Sequence, residues 1–78
     1  MHIEIISPET TIFSGEIQRV KFPGKEGSFE VLNNHAPIVA LLKKGNIVIT
    51  EQNNQITKIE ISGGVVEIKK NKIIVLAD

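Results

Sequence analysis

Seventy-eight residues permit one small domain, and a domain of this size buries only about 60% of its unfolded surface, so it usually leans on cross-links, a metal or a partner. There is no cysteine, and His2 and His35 lie too far apart to form a metal-ligand pair, which excludes disulfides and thiolate sites and leaves a partner surface as the open route. Nine basic and nine acidic side chains cancel, so the basic excess expected of a nucleic-acid binder is missing.

The aliphatic residues set the fold class. Fourteen Ile and seven Val stand against four Leu, and branching at Cβ suits a pleated surface and disfavours helix. His2 to Ile6 alternates and ends at Ser7-Pro8. Thr11 to Phe13 reads as a short strand broken by Ser14-Gly15. Glu16 to Phe22 follows, with Val20 and Phe22 on one face and Ile17 on the other, which a bulge or a twist within the strand would reconcile. Pro23 to Gly27 is a turn, and Ser28 to Leu32 puts Phe29 and Val31 inward.

The polar corner Asn33-Asn34-His35 then runs straight into Ala36 to Leu42, seven residues without a polar side chain. That run is far too short to cross a bilayer. Ile38 to Leu42 is apolar on both faces, and Lys43 to Asn46 reads as a turn before Ile47 to Thr50. Glu51 to Asn54 forms a polar hairpin tip, Gln55 to Ile61 returns, and Ser62-Gly63-Gly64 turns the chain again. Val65 to Lys69 and Lys72 to Leu76 pair across Lys70-Asn71. The expectation is an all-β fold, a small flattened β-sandwich of two mostly antiparallel sheets with about 8–10 short strands. Apolar residues on both faces of Ile38 to Leu42 and Ile73 to Leu76 exceed what one thin core can hide, which points to cover by a partner. Met1 to Glu4 carries no basic, apolar signal-peptide pattern, so exposure to the cytosol is expected.

The sequence shows no complete catalytic constellation, although a glutamate could stand in for the missing acid. The four serines lack a strand-turn-helix elbow, and the sole aspartate is Asp78. Glu26 and Glu30 flank a turn, where solvation is the ordinary reading, and Gly24 to Ser28 has neither the order nor the following helix of a phosphate loop. A small ligand-binding or enzymatic barrel using His35 as a base is the alternative from another class. It requires His35 in a concave pocket beside a carboxylate.

Taken in order, Pro8-Glu9, Ile12 to Glu16, Pro23-Gly24, Gly27-Ser28-Phe29, Val31-Leu32, His35-Ala36-Pro37, Leu42 with Gly45, Gly63-Gly64 leading into Val66-Glu67, and Val75 to Asp78 form one pattern. It resembles the amino-terminal β-sandwich domain of the epsilon subunit of rotary ATP synthase, called delta in mitochondria, over essentially the whole chain. The resemblance implies a rotor subunit with no catalysis and no cofactor of its own. Such a subunit binds the gamma subunit and the polar loops of the c-ring, and couples proton- or sodium-driven rotation to ATP synthesis. It also implies a peripheral place on the cytoplasmic face of the bacterial membrane, without bilayer insertion. By position, Ser28, Glu30, Asn33 and Asn34 fall where the family meets the c-ring, and Ser7, His35 and Ala40 where it meets gamma. Ser28 stands where some relatives carry an acid, and Asn33-Asn34 replaces a common Pro-Gly. The bland reading of His35 and the asparagines is that they cap a turn. Most members continue into a two-helix hairpin that can bind ATP. The expectation here is a single domain over 1–78 without that hairpin, and no ATP binding.

Overall fold

The computed structural model describes all 78 residues as six strands: β1 (His2–Ile6), β2 (Thr11–Phe22), β3 (Phe29–Val31), β4 (Ile38–Glu51), β5 (Ile56–Lys69) and β6 (Lys72–Ala77). No helix interrupts them. Hydrogen bonding runs β1-β6-β5-β4-β2-β3, and β2 also returns to β1, so the ladder closes on itself. Every pairing is antiparallel except β1 with β6.

Strand length explains the two layers. A straight strand of fourteen residues, the length of β4 and of β5, would span roughly 45 Å. The largest extent of the molecule is 27 Å, so both strands bend and serve both layers. One layer holds β1, β6, the Gly64–Lys69 half of β5 and the Ile38–Lys43 half of β4, with Thr11–Glu16 of β2 beside β1. The other holds the first half of β5, the second half of β4, Ile17–Phe22 of β2 and β3.

The all-β sandwich expected from the composition is what forms, but from fewer and longer strands. Ser14-Gly15, Lys43 to Asn46 and Ser62 to Gly64 do not end strands; each lies within one. Glycine inside a paired strand permits a bend or a close approach without breaking the ladder. Gly64 shows why. Its φ is +155°, and a Cβ there would collide with the Leu76 carbonyl oxygen on the neighbouring strand. The tips at Gln52–Gln55 and Lys70–Asn71 do turn the chain, with Asn54 (φ 70°) and Asn71 (φ 62°) in the left-handed region asparagine tolerates. The bulge expected near Ile17 is present as a register shift between Ile17 and Arg19, and it lets Ile17, Val20 and Phe22 all enter the core.

Fifteen buried apolar residues form one cluster between the layers. Register builds it in rows: Ile5, Val75 and Val66 lie side by side, as do Ile3, Ile73 and Ile68. Phe22 and Phe29 add a tilted aromatic pair with centroids 5.5 Å apart.

Gly64→Ala should cost about 2 kcal/mol, since the φ it needs is closed to a residue with a side chain. Urea unfolding monitored by circular dichroism measures this; an unchanged midpoint would show that the β5–β6 approach does not require glycine.

Candidate protein-docking surface

Residues paired across neighbouring strands share a face of the sheet, so the register that builds the core also defines what lies outside it. Leu41 is opposite Val65, Val65 opposite Leu76, and Leu76 opposite Ile6. This is an aliphatic row across four strands, on the face turned away from the core. Leu41 and Leu76 are each 56% exposed, and Val65 and Ile6 are half-buried. The next row outward from it runs Val39, Glu67, Ile74 and Glu4, with Val39 69% exposed. The result is an apolar strip bordered by carboxylates, one of which, Glu67, lies 3.6 Å from the Lys69 ammonium. Apolar area of this kind on a small domain marks an interaction site.

The residues singled out from the sequence lie around this strip and not in it. Ser7 is half-buried just beyond Ile6. Its Oγ accepts from the Thr10 N–H and donates to the Thr10 carbonyl, both at 3.2 Å, closing the turn after β1. His35 sits at the opposite end of the layer, with Nδ1 2.7 Å from the Ala36 carbonyl and its N–H on the Leu32 carbonyl at 3.2 Å. Asn34, at φ 66°, donates its N–H to Asn71 Oδ1 at 3.3 Å and so ties the polar corner to the β5–β6 turn. Ala40 is paired with Val66 and packs half-buried against the core, on the face opposite the aliphatic row. Ser7, His35 and Ala40 are therefore not gathered into one cluster.

Ser28, Glu30, Asn33 and Asn34 are all exposed and follow one another along β3 and the corner after it. The Glu30 carboxylate is 3.9 Å from Arg19 Nε, and both side chains remain about half exposed. An open depression of about 310 Å³ lies between β4 and the turn before β3, lined by Gly24–Gly27, Phe29 and Ile38–Leu41. His35 lines neither this nor any other depression, which removes the reading of His35 as the base of a pocketed barrel site. The segment Gly24–Gly27 is a plain turn closed by Gly27 N–H on the Gly24 carbonyl at 3.0 Å, with no helix after it.

Sequence reasoning flagged the doubled apolar faces of Ile38 to Leu42 and Ile73 to Leu76, but not the row itself. Ile6 and Val65 join it only through cross-strand register, which no local pattern reveals.

Residues 1–78 match the family described as ATP synthase, Delta/Epsilon chain, beta-sandwich domain. The ATP synthase epsilon chain of Rhodopseudomonas palustris (strain BisA53) is 44% identical over 77 residues, covering 99% of this chain and 56% of that protein. That of Campylobacter curvus (strain 525.92) is 40% identical over 78 residues, covering 100% of this chain and 60% of the relative. The chain thus spans a little over half the length of these relatives. Among solved structures, a chain of the Euglena gracilis mitochondrial ATP synthase (OSCP/F1/c-ring, rotational state 1) superposes with a TM-score of 0.89 over 96% of this chain and 48% of its own, at 18% identity. A chain of the Tetrahymena thermophila mitochondrial ATP synthase central stalk and c-ring gives 0.82 over 99% of this chain and 62% of its own, also at 18% identity. At that identity the likeness speaks for the fold alone.

Because Leu76 faces water, Leu76→Ser should move the stability of the free chain by no more than about 0.5 kcal/mol. Ile73→Ala on the same strand should cost roughly 2–5 kcal/mol, since Ile73 is fully buried. Urea midpoints compare the two; equal losses would mean that Leu76 is covered within the chain itself.

Proposed function

The chain belongs to the ATP synthase delta/epsilon β-sandwich family, and from that premise we propose that it is a non-catalytic component of the central stalk, transmitting rotation between the c-ring and the gamma subunit. The observation that carries this reading is the uncovered aliphatic row Leu41–Val65–Leu76–Ile6. A rotor part must hold its partner under torque, and an apolar strip with a polar rim gives a desolvated centre that resists sliding. Gamma docks on this strip, with Ser7 and His35 at its two ends. Ala40 lines the depression between β4 and the turn.

The polar segment Ser28 to Asn34 serves a different contact. Ser28, Glu30, Asn33 and Asn34 present hydroxyl, carboxylate and amide groups, which can hydrogen-bond the polar loops of the c-ring. In this role the protein acts at the surface of a membrane complex, on the cytoplasmic face in a bacterium, and its fold supplies spacing and stiffness. All the roles assigned here fall within residues 1–78.

Non-denaturing co-purification with the cognate gamma subunit tests the reading. The chain should co-purify, and Leu41→Lys with Leu76→Lys should weaken the complex by roughly tenfold or more, because a charge must then be desolvated at the centre of the contact. Asn33→Ala and Ser28→Ala should leave gamma binding intact and reduce retention on the c-ring. A folded chain that never associates with its gamma subunit would overturn the assignment.

A further inference from the structure

Only part of the outer side of β4 is paired. β4 is hydrogen-bonded to β5 along its whole length. On its other side the segment Pro23–Lys25 runs antiparallel to it: Lys25 N–H donates to the Leu41 carbonyl and Lys43 N–H to the Pro23 carbonyl, both at 2.9 Å, around a bridge between Gly24 and Leu42. There the pairing stops. Gly27, at φ +127°, closes the turn and the chain leaves β4 to enter β3.

The direction of the peptide groups follows from this. In an antiparallel strand a residue's N–H and C=O point to the same side, and alternate residues point to alternate sides. Leu41 and Lys43 turn theirs toward Pro23–Lys25 and away from β5, so Val39 turns both of its groups the same way. Neither the N–H nor the C=O of Val39 enters any hydrogen bond of the turns and loops, and the N–H of Leu41 is in the same position. Val39 and Leu41 both line the depression of about 310 Å³, together with Gly24–Gly27, Phe29, Ile38 and Ala40.

Proteins protect open strand edges with charge, proline or bulges. The outer edge of β5 between Ile56 and Ile61 carries Lys58 and Glu60, and β3 carries Glu30. The β4 edge from Ile38 to Leu42 carries no charge at all. It combines unpaired main-chain groups, an apolar floor and two exposed aliphatic side chains, Val39 and Leu41, which already belong to the docking strip.

We propose that this edge receives an extended segment of the gamma subunit, which adds a strand to β4 by main-chain pairing with Val39 and Leu41. The inference rests on the rotor reading above and specifies how the contact is made. The incoming segment alternates apolar residues: one set covers Phe29, Ile38 and Ala40 in the depression, and the other lies beside Leu41 and widens the aliphatic row by one strand. Continuity with the strip identifies the occupant, since one partner covers both.

Amide hydrogen exchange followed by NMR decides the matter. In the free chain the amides of Val39 and Leu41 should exchange fast, and that of Ala40, turned toward β5, slowly. In the complex with the cognate gamma subunit, Val39 and Leu41 should slow by roughly 100-fold or more. If the complex forms and both amides stay fast, the added strand is refuted and the rotor reading stands. If no complex forms, both fail together. If Val39 and Leu41 become protected in the free chain as its concentration rises, the edge pairs with a second copy and the proposal is wrong about its occupant. Val39→Pro removes the N–H at an edge position where proline is tolerated, and should weaken gamma binding by roughly tenfold with the urea midpoint little changed. Unchanged affinity in a folded V39P chain would count against the added strand; should that variant unfold, the exchange data on the native sequence decide alone.

Discussion

The pairing of β4 with β5, in one register from Ile38 opposite Ile68 to Thr50 opposite Ile56 and skipping only Lys44 and Ser62, is the constraint on which the rest of the molecule depends. Both strands are too long for the body that contains them, so they must bend, and bending places one half of each in either layer. The remaining strands are then assigned by what is left to pair. β6 and β1 extend one layer, while the second half of β2 and β3 extend the other. A core one side chain deep on each layer fills the space between, built mostly of Ile and Val whose stiff χ1 angles suit registered rows.

The same register produces the surface. A thin sandwich uses one face of each sheet, so any strand apolar on both faces must show one of them to its surroundings. Here the exposed face falls on four adjacent strands of a single layer, and its residues line up across them. Scattered apolar residues on a surface would mean little, but an aligned row beside an uncharged strand edge is a directional feature. It has a flat part suited to side-chain contact and a margin suited to main-chain pairing. The exposed amides Asn33 and Asn34 lie beyond one end of it, where the Asn34 N–H on Asn71 Oδ1 ties the corner to the β5–β6 turn. In the rotor role proposed above, two neighbours call for this division, because a surface that bound both partners alike would not fix its orientation between them.

Much of this was legible in the chain. Abundant β-branched residues, the turn chemistry of Pro23 to Gly27 and Lys70-Asn71, and the doubled apolar faces gave an all-β sandwich with surplus aliphatic surface. The bulge at Ile17 was visible because an otherwise regular alternation failed there. Where the reading divided strands at Lys43 to Asn46 and at Ser62 to Gly64, it took glycine and charge as stops. In the fold those segments pair with each other, and the glycines let the strands bend while the ladder continues. The ordered motifs pointed to the family, and the resemblance implied one partner for Ser7, His35 and Ala40; only the tertiary structure shows that Ala40 looks inward while Ser7 and His35 stand at opposite ends.

By itself, then, the order of residues determined the composition of each face, the reversals at Pro23 to Gly27 and at Lys70-Asn71, and the excess of oily side chains over available interior. These are local properties, set by side-chain branching and by the φ angles that Gly, Pro and Asn permit. Tertiary structure alone decided which strands stand side by side, and so that Ile6, a residue of the first strand, completes a row begun by Leu41. It alone decided that the peptide groups of Val39 turn away from β5. Hydrogen-bond partners in a sheet come from distant parts of the chain, and no periodicity within one segment records which of them arrives or which place is left vacant.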